Sequence, residues 1–308
     1  MAAVQSGWPQ PLDRRRIAIF LLFAFGIAWA VAAYIYWTGG LVDRSSEDML
    51  WGLPTVLILI AVVYMGAPTF ANLLTRLVTR EPWDDLWIAW NFRAGWPYWA
   101  IAWVLPGILT IVGGAVFFAL FPHYFDAEFT GLQAMIEAAG PDAAPPAMSP
   151  QAMILVGALQ GILLAPLLNG PATFGEEFGW RGYLLQKLMP LGWRRAALWM
   201  GLIWGVWHWP ILAMGHNYGL EYPGAPWAGM LLFVWFSFCA GTILGWLTLR
   251  GRSVWPAVIG HAAINGIAAL GALLVIGEPN PLLGPLPVGV VGMIGFSVVG
   301  LWMFWRKP

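Results

Sequence analysis

The run IAIFLLFAFGIAWAVAAYIYW, Ile17–Trp37, decides the fold class of this chain. It is apolar throughout, and its length matches the roughly 20 residues that a helix needs to cross a bilayer. Three arginines, Arg14–Arg16, precede it, as basic residues precede the apolar core of a signal peptide. The run is too long for such a core, which has about 7–15 residues. It is therefore predicted to be an uncleaved membrane anchor.

The same apolar character extends over the rest of the 308 residues. Hydrophobic residues make up 60 % of the chain and charged residues only 10 %, against about 25 % charged in a soluble domain. This composition argues against a soluble enzyme and excludes a disordered chain. A net charge of zero provides no basic surface for nucleic acid. We therefore predict an all-α fold, a polytopic membrane helix bundle with about eight transmembrane helices. The seven further spans are expected at Trp51–Leu74, Tyr98–Phe121, Ala152–Leu168, Ala196–Met214, Ala228–Leu249, Val254–Ile276 and Leu286–Trp305.

The charges between these spans follow the positive-inside rule. With Arg181 counted, 14 of the 15 Lys and Arg residues fall on one side, and Arg44 is the exception. The opposite side includes the longest loop, Pro122–Gln151, and is acidic. We therefore predict an integral membrane protein with both termini in the cytoplasm. The Trp- and Arg-rich, Lys-poor composition favours a bacterial inner membrane. The outer acidic residues are Asp43, Glu47, Asp48, Asp126, Glu128, Glu137, Asp142, Glu221 and Glu278.

Ionisable groups inside apolar spans are costly, so each of them is a candidate functional residue. Here they lie between Phe174 and Asn265, in three clusters. The segment Gly175–Pro190, which carries the first cluster, either extends the fourth span or forms a separate re-entrant or interfacial helix. The clusters are GEEFGWRGYLLQKL with Glu176, Glu177 and Arg181, GLIWGVWHWP with His208, and VIGHAAINGIAAL with His261 and Asn265.

In the first cluster, the two glutamates have different neighbours. Glu177 and Arg181 are four residues apart, so on a helix they share a face and can pair. Glu176 points about 100° away and lacks that partner, which makes it the better candidate for a general base. A plain ion pair that anchors a helix end explains the same residues equally well.

The second and third clusters supply histidine and asparagine side chains. His208 lies in the middle of its span, and His261 shares a helix face with Asn265 because they are four residues apart. Two donors on one face can support a developing oxyanion. Hydrogen bonding that only holds helices together is the alternative for all three residues. His261 lies about 10–12 Å from the cytoplasmic end of its helix, and His208 lies about 18 Å from the cytoplasmic end of its own. Both could therefore meet Glu176 in one cavity.

Three motifs in this order resemble the CPBP intramembrane protease family, which includes type II CAAX prenyl proteases and bacteriocin-processing proteins and is also called the Abi family. The motifs are EExxxR at Glu176–Arg181, an aromatic-xxx-H at Trp204–His208 and HxxxN at His261–Asn265. The resemblance covers about Ile154–Ile276. The family's second motif usually begins with Phe, and we interpret Trp204 as an exchange of one aromatic residue for another.

The resemblance implies an intramembrane endopeptidase with a cavity open to the cytoplasm. Its substrate would be a peptide or protein, prenylated or bound to the membrane. Residues 151–276 would form the core of catalytic helices, with N-terminal spans and an outer loop in 1–150 and a C-terminal span in 277–308. The implied roles are activation of water by Glu176 and His208, stabilisation of the oxyanion by His261 and Asn265, and support of the motif helix by Glu177 and Arg181.

The catalytic type and the function each have an alternative. Glu176, His208 and His261 could bind zinc as a metalloprotease does, with one position open for water. We favour a metal-free mechanism, because Asn265 lies on the His261 face and an amide is a poor zinc ligand. The alternative function on the same fold is a non-catalytic membrane scaffold or a bacteriocin-immunity protein. A transporter is disfavoured because the outer half of the bundle has few polar groups.

Overall fold

Long apolar helices run through the computed structural model, which describes residues 11–41, 49–50, 53–138 and 148–308. Five helical segments are long and apolar enough to cross a membrane. The prediction of an all-α polytopic bundle is thereby confirmed, whereas the number of eight crossings is not. The five segments are Arg14–Trp37, Thr55–Thr79, Phe92–Leu120, Trp227–Gly251 and Trp255–Leu274.

Most of the described residues are helical, and the strands among them are one antiparallel pair, Met49–Leu50 with Leu53–Pro54. The α-helices are Arg14–Trp37, Thr55–Ile58, Ala67–Thr79, Phe92–Leu120, Thr130–Ala138, Pro150–Leu163, Ala165–Leu168, Gly170–Gly179, Leu185–Leu188, Trp193–Trp207, Trp209–Ala213, Trp227–Gly251, Trp255–Ile267 and Ile294–Trp305. The π-helical turns are Leu59–Tyr64 and Trp180–Leu184, and the 3₁₀ helices are Pro122–Tyr124, Met189–Leu191 and Leu270–Leu274.

The fourth predicted span is wrong at its C-terminal end. Its helix stops at Leu163, because Pro166 has no amide hydrogen to continue the ladder. The carbonyl of Ile162, which would have accepted that hydrogen bond, accepts instead from the indole Nε1 of Trp103 at 2.8 Å. Neighbouring helices commonly satisfy backbone groups that a proline frees within a membrane.

The open question about Gly175–Pro190 is answered by this break. The segment is not a continuation of the Pro150–Leu163 helix. It belongs to a second helical stretch that begins at Gly170 and continues through the π-helical turn Trp180–Leu184 to Leu188. We call this stretch the motif-1 helix.

The fifth predicted span, Ala196–Met214, is also interrupted. Its helix ends at Trp207 and a short helix, Trp209–Ala213, follows. Pro210 lacks the amide hydrogen that would continue the helix. The break therefore falls on His208, the histidine of the second motif. The helix Trp193–Trp207 is called the motif-2 helix, and Trp255–Ile267 the motif-3 helix.

The eighth predicted span, Leu286–Trp305, is wrong at its N-terminal end, since the helix begins at Ile294. The preceding residues 281–293 form turns. Prolines and glycines there remove helix donors and favour other backbone conformations. They are Pro281, Gly284, Pro285, Pro287, Gly289 and Gly292.

Some predicted features lie outside the described residues. They include the start of the second span at Trp51, which leaves Thr55 as the first described helical residue of that span. Several charges used to orient the chain are also outside, so this part of the topology stays a prediction. They are Asp43, Arg44, Glu47, Asp48 and Asp142.

Polar contacts and small residues bring the motif helices together. Thr173 Oγ1 donates to the Val258 carbonyl at 3.1 Å, which ties the motif-1 helix to the motif-3 helix. In the motif-2 helix, a Cβ added at Gly205 would lie only 2.7 Å from Cα of Val234, and Gly201 packs as closely on Phe238. These glycines let the motif-2 helix pack closely on the helix Trp227–Gly251, as small residues commonly do in membranes.

Candidate active site

The two adjacent glutamates are buried in the motif-1 helix. Glu176 is 2 % exposed and Glu177 is fully buried. Glycines allow this depth, because a Cβ at Gly175 would come within 2.9 Å of the Met65 carbonyl, and one at Gly179 would overlap Pro68. The motif-1 helix therefore lies directly on the second span, and both carboxyl groups are enclosed by protein.

Glu177 joins the first motif to the third. Its Oε1 accepts from Nη1 of Arg181 at 2.7 Å, so the pair predicted from their spacing is present. The same oxygen lies 2.9 Å from Nδ1 of His261. This second contact was not predicted, because it depends on how two helices pack side by side. A carboxylate accepts only, so Nδ1 of His261 carries the hydrogen of this bond.

Glu176 has a different partner. Its Oε2 accepts from the indole Nε1 of Trp204 at 2.8 Å. This bond was not predicted, because Trp204 was interpreted as one aromatic ring replacing another. The available signal was the residue type, since a buried Trp N–H usually finds an acceptor. Within the described part of the chain, no hydrogen bond reaches the other oxygen, Oε1 of Glu176.

His208 is oriented by the helix break. Its backbone N–H bonds to the Gly205 carbonyl at 3.2 Å, and this leaves the Trp204 carbonyl without its usual helical donor. Nδ1 of His208 lies 2.8 Å from that carbonyl oxygen. A carbonyl only accepts, so Nδ1 carries the hydrogen. The neutral ring then presents the lone pair of Nε2, which suits it to accept a hydrogen bond from water.

Side chains from the first two spans donate hydrogen bonds to a backbone carbonyl at this helix break. The Trp207 carbonyl accepts from the Tyr64 hydroxyl at 2.7 Å and from the Trp29 indole at 3.2 Å. Tyr64 is buried, and its ring packs on that of Trp207 with the centroids 4.4 Å apart. Neither residue belongs to a motif, and an isolated Tyr or Trp in an apolar run gives no sequence signal for this role.

Trp204 packs against both histidines. Its ring centroid lies 5.6 Å from that of His208 and 5.3 Å from that of His261, and both pairs are edge-to-face. The structure thus brings together Glu176, Glu177 and Arg181 with the two histidines around this indole. Asn265 is not among them.

Asn265 lies one helical turn beyond His261 and is exposed, whereas His261 is 5 % exposed. No hydrogen bond of Asn265 occurs within the described ranges. Its predicted partnership with His261 is therefore limited to a position on the same helix. Its role at an oxyanion stays a prediction.

The residues expected to hold zinc do not form a ligand set in this structure. Among the described residues, no group of three His, Cys, Asp or Glu side chains is arranged to hold a metal ion. Nδ1 of each site histidine bonds to a protein acceptor, which leaves Nε2 of both rings available to a metal as well as to water. The metal-free mechanism therefore stays a prediction.

Comparison with known proteins locates these motifs in a family. Residues 151–267 match a family model described as Type II CAAX prenyl endopeptidase Rce1-like. The resemblance seen in the motifs is confirmed. All six predicted site residues lie within this Rce1-like segment.

A curated relative matches part of the chain. CAAX prenyl protease 2 of Methanococcus maripaludis is 34 % identical over 102 residues. The match covers 32 % of this chain and 37 % of the relative, so the chain aligns with little more than a third of the relative's length.

Proposed function

We propose that this protein is an intramembrane endopeptidase that hydrolyses a peptide bond with Glu176 as the general base. The observation that carries the proposal is the pair of unequal glutamates. Glu177 is engaged by a cation and a histidine, whereas Glu176 has one oxygen held by a neutral indole and one oxygen open. The Rce1-like match supports the same reaction class.

In the proposed reaction, Oε1 of Glu176 takes a proton from a water molecule whose other hydrogen bonds to Nε2 of His208. The hydroxide attacks the carbonyl carbon of the scissile bond and forms a tetrahedral oxyanion. When the C–N bond breaks, Glu176 returns the proton to the leaving amine. One water molecule is consumed, and a carboxylic acid and an amine are produced, so the atoms balance.

His261 and Asn265 are proposed to stabilise the oxyanion. The bond between Nδ1 of His261 and Glu177 sets a condition for this role. Because Nδ1 already donates to the carboxylate, His261 can donate to an oxyanion only if Nε2 also carries a hydrogen. Glu177 and Arg181 thus act on the orientation of His261 in addition to supporting their own helix.

The proposed substrate is a peptide or protein that reaches the site from the cytoplasmic side, with a prenylated C-terminus as the first class to test. The relative's name refers to CAAX prenyl proteins. Such a substrate has an apolar anchor for the bilayer and a polar peptide end. The proposed location is a bacterial inner membrane with both termini in the cytoplasm.

The test is cleavage of a farnesylated CAAX peptide by detergent-purified protein, with release of the C-terminal tripeptide followed by mass spectrometry. We expect cleavage by the natural chain and none by Glu176→Gln. Glu128→Gln, an exposed site in the outer loop, is the matched control and should cleave normally. The same peptide without the farnesyl group tests whether the substrate must be prenylated.

Cleavage by Glu176→Gln at the natural rate would overturn the role of Glu176. A failure of the natural chain to cleave either peptide or a membrane-protein extract would favour the scaffold alternative.

A further inference from the structure

Trp204 contacts four of the groups that define the candidate site. Its Nε1 donates to Glu176, and its ring packs edge-to-face on His208 and His261. The guanidinium carbon of Arg181 lies 4.4 Å from the centroid of the same ring. Trp204 itself is only 3 % exposed, so these contacts are made in the protein interior.

Arg181 pairs with Glu177 and packs against Trp204. Its Nη1 bonds to Glu177, and the flat guanidinium lies against the face of Trp204. On another side, a Cβ at Gly241 would lie 3.2 Å from Nη2. Within the described residues, Nε and Nη2 of Arg181 have no hydrogen-bond acceptor, and the indole face supplies the cation–π contact that covers them.

The indole therefore contacts both sides of the glutamate pair. Its face lies against the guanidinium of Arg181, which holds Glu177. Its N–H gives Oε2 of Glu176 a neutral donor in place of a charged one. An arginine partner would place a full positive charge beside the carboxylate, whereas the indole donates one hydrogen bond and carries no charge. A neutral donor on one oxygen fixes the carboxylate plane and leaves the second oxygen free to accept a proton.

We propose that Trp204 is a positioning residue that adds to the difference between the two glutamates: its N–H orients the base Glu176, and its face packs on the Arg181 guanidinium that holds Glu177. The inference rests on the proposed function, because it assigns Trp204 a role through Glu176. Phenylalanine, the residue usual at this place in the resembling family, would keep the ring face and lose the N–H. The N–H contribution is therefore separable from packing by one substitution.

The test compares Trp204→Phe with Trp199→Phe, a matched change at an indole of the same helix that is 50 % exposed. We expect Trp204→Phe to lower kcat about 10-fold or more with KM unchanged, since the bond removed is to the base and not to substrate. Trp199→Phe should leave both constants unchanged. A purely packing role for Trp204 would change thermal stability without this split between kcat and KM.

A spectroscopic measurement is independent of turnover. The carboxylate band of Glu176 is isolated as the infrared difference between each protein and its Glu176→Gln variant. Loss of the indole donor should shift this band in Trp204→Phe and not in Trp199→Phe. If Trp204→Phe does not fold, benzothienylalanine at position 204 replaces the N–H by sulfur at nearly the same volume.

The outcomes distinguish the two proposals. Unchanged kcat and an unshifted band in the Trp204 variant, with Glu176→Gln inactive, would overturn the inference and leave the function intact. Full activity of Glu176→Gln would overturn the proposed base. In that case, the infrared shift still decides whether Trp204 holds Glu176.

Discussion

Nδ1 of His261 lies 2.9 Å from Oε1 of Glu177, although the two residues are 84 positions apart in the chain and belong to different helices. The bond fixes which nitrogen of the histidine carries hydrogen and which faces the rest of the site. It also means that the ion pair of Glu177 with Arg181 is not an isolated helix anchor. A change at Glu177 should therefore disturb the third motif as well as the first.

The adjacent glutamates should respond differently to the same substitution. Glu176→Gln should abolish turnover and leave a folded protein, because the amide keeps the volume and loses the base. Glu177→Gln should lower stability by about 3–5 kcal/mol, the usual cost of breaking a buried ion pair by removing one partner. Turnover and thermal unfolding in detergent measure the two effects. An essential Glu177 beside a dispensable Glu176 would show that the roles are reversed.

Tyr64→Phe should destabilise the protein by about 1 kcal/mol, because the Trp207 carbonyl loses its shorter hydrogen bond and keeps the one from Trp29. The double change with Trp29→Phe should cost more than the two single changes added together, since the carbonyl is then left unsatisfied. Thermal unfolding tests this, with Tyr36→Phe at an exposed ring as the control. Equal stability of Tyr64→Phe and the natural chain would contradict the importance of this bond.

The segment after Phe121 should lose local stability in acid. Burial alone would raise the pKa of Asp126, but hydrogen bonds from the Gly131 amide, from the amide and hydroxyl of Thr130 and from the Phe129 amide outweigh it and lower the pKa. Because the pKa of Asp126 is lower in the folded protein than in the unfolded chain, the ionised carboxylate stabilises the fold at pH values above the ordinary pKa of aspartate. This stabilisation is lost as the pH falls through the pKa of the folded state.

Hydrogen exchange at Gly131, corrected for intrinsic rates, measures this effect. Its amide donates to Oδ2 of Asp126 at 2.9 Å, so protection should fall as the carboxylate is protonated. Asp126→Asn should make the remaining protection independent of pH. Protection in the natural chain that stays constant through the Asp range would rule out this account.

Both termini should be cytoplasmic and the loop 122–151 external. A cysteine at Ser149, introduced on a Cys239→Ala background, should react with an impermeant reagent added from outside the cell. A cysteine at Arg306 should react only after the cytoplasmic side is exposed. Labelling of the Ser149 cysteine only from the cytoplasmic side would reverse the proposed orientation.

Exhaustive treatment with a strong zinc chelator should leave activity intact, as expected for a glutamate base that needs no metal. Metal content is measured on the same sample, so that residual zinc does not explain the result. Activity that disappears and returns with one equivalent of zinc would require a metal mechanism and a rearrangement of Glu176 and the two histidines.

The sequence predicted the bundle well and the side-by-side contacts poorly, for a physical reason. Apolar runs of bilayer length indicate spans such as Ile17–Trp37 without knowledge of their neighbours. Spacing along one helix likewise indicated the pair of Glu177 with Arg181. The ends of spans were misplaced where Pro166 and Pro210 interrupt apolar runs, because hydrophobicity does not register a missing backbone donor.

Contacts between helices could not be predicted from the sequence, because they depend on how each helix is rotated about its axis and how deep it lies in the membrane. The bond from Glu177 to His261 and the packing of Trp204 between motifs are of this kind. The bond of Trp204 could have been predicted from the sequence. Its indole N–H lies four residues before a buried histidine and needs an acceptor, and the buried carboxylates were the available acceptors. For Asn265, the predicted position on the helix of His261 was correct, but the exposure of its side chain could not be inferred from the sequence.

The interrupted backbone at Trp207 has a consequence for dissecting the chain. Residues 151–267 contain the three motifs, but the donors that cap the Trp207 carbonyl come from Trp29 and Tyr64. A fragment trimmed to residues 151–267 would lose both donors and leave that oxygen unsatisfied inside the membrane, at a cost of several kcal/mol. The first two spans are thus part of the scaffold that any transplanted or minimised version of this site would have to carry with it.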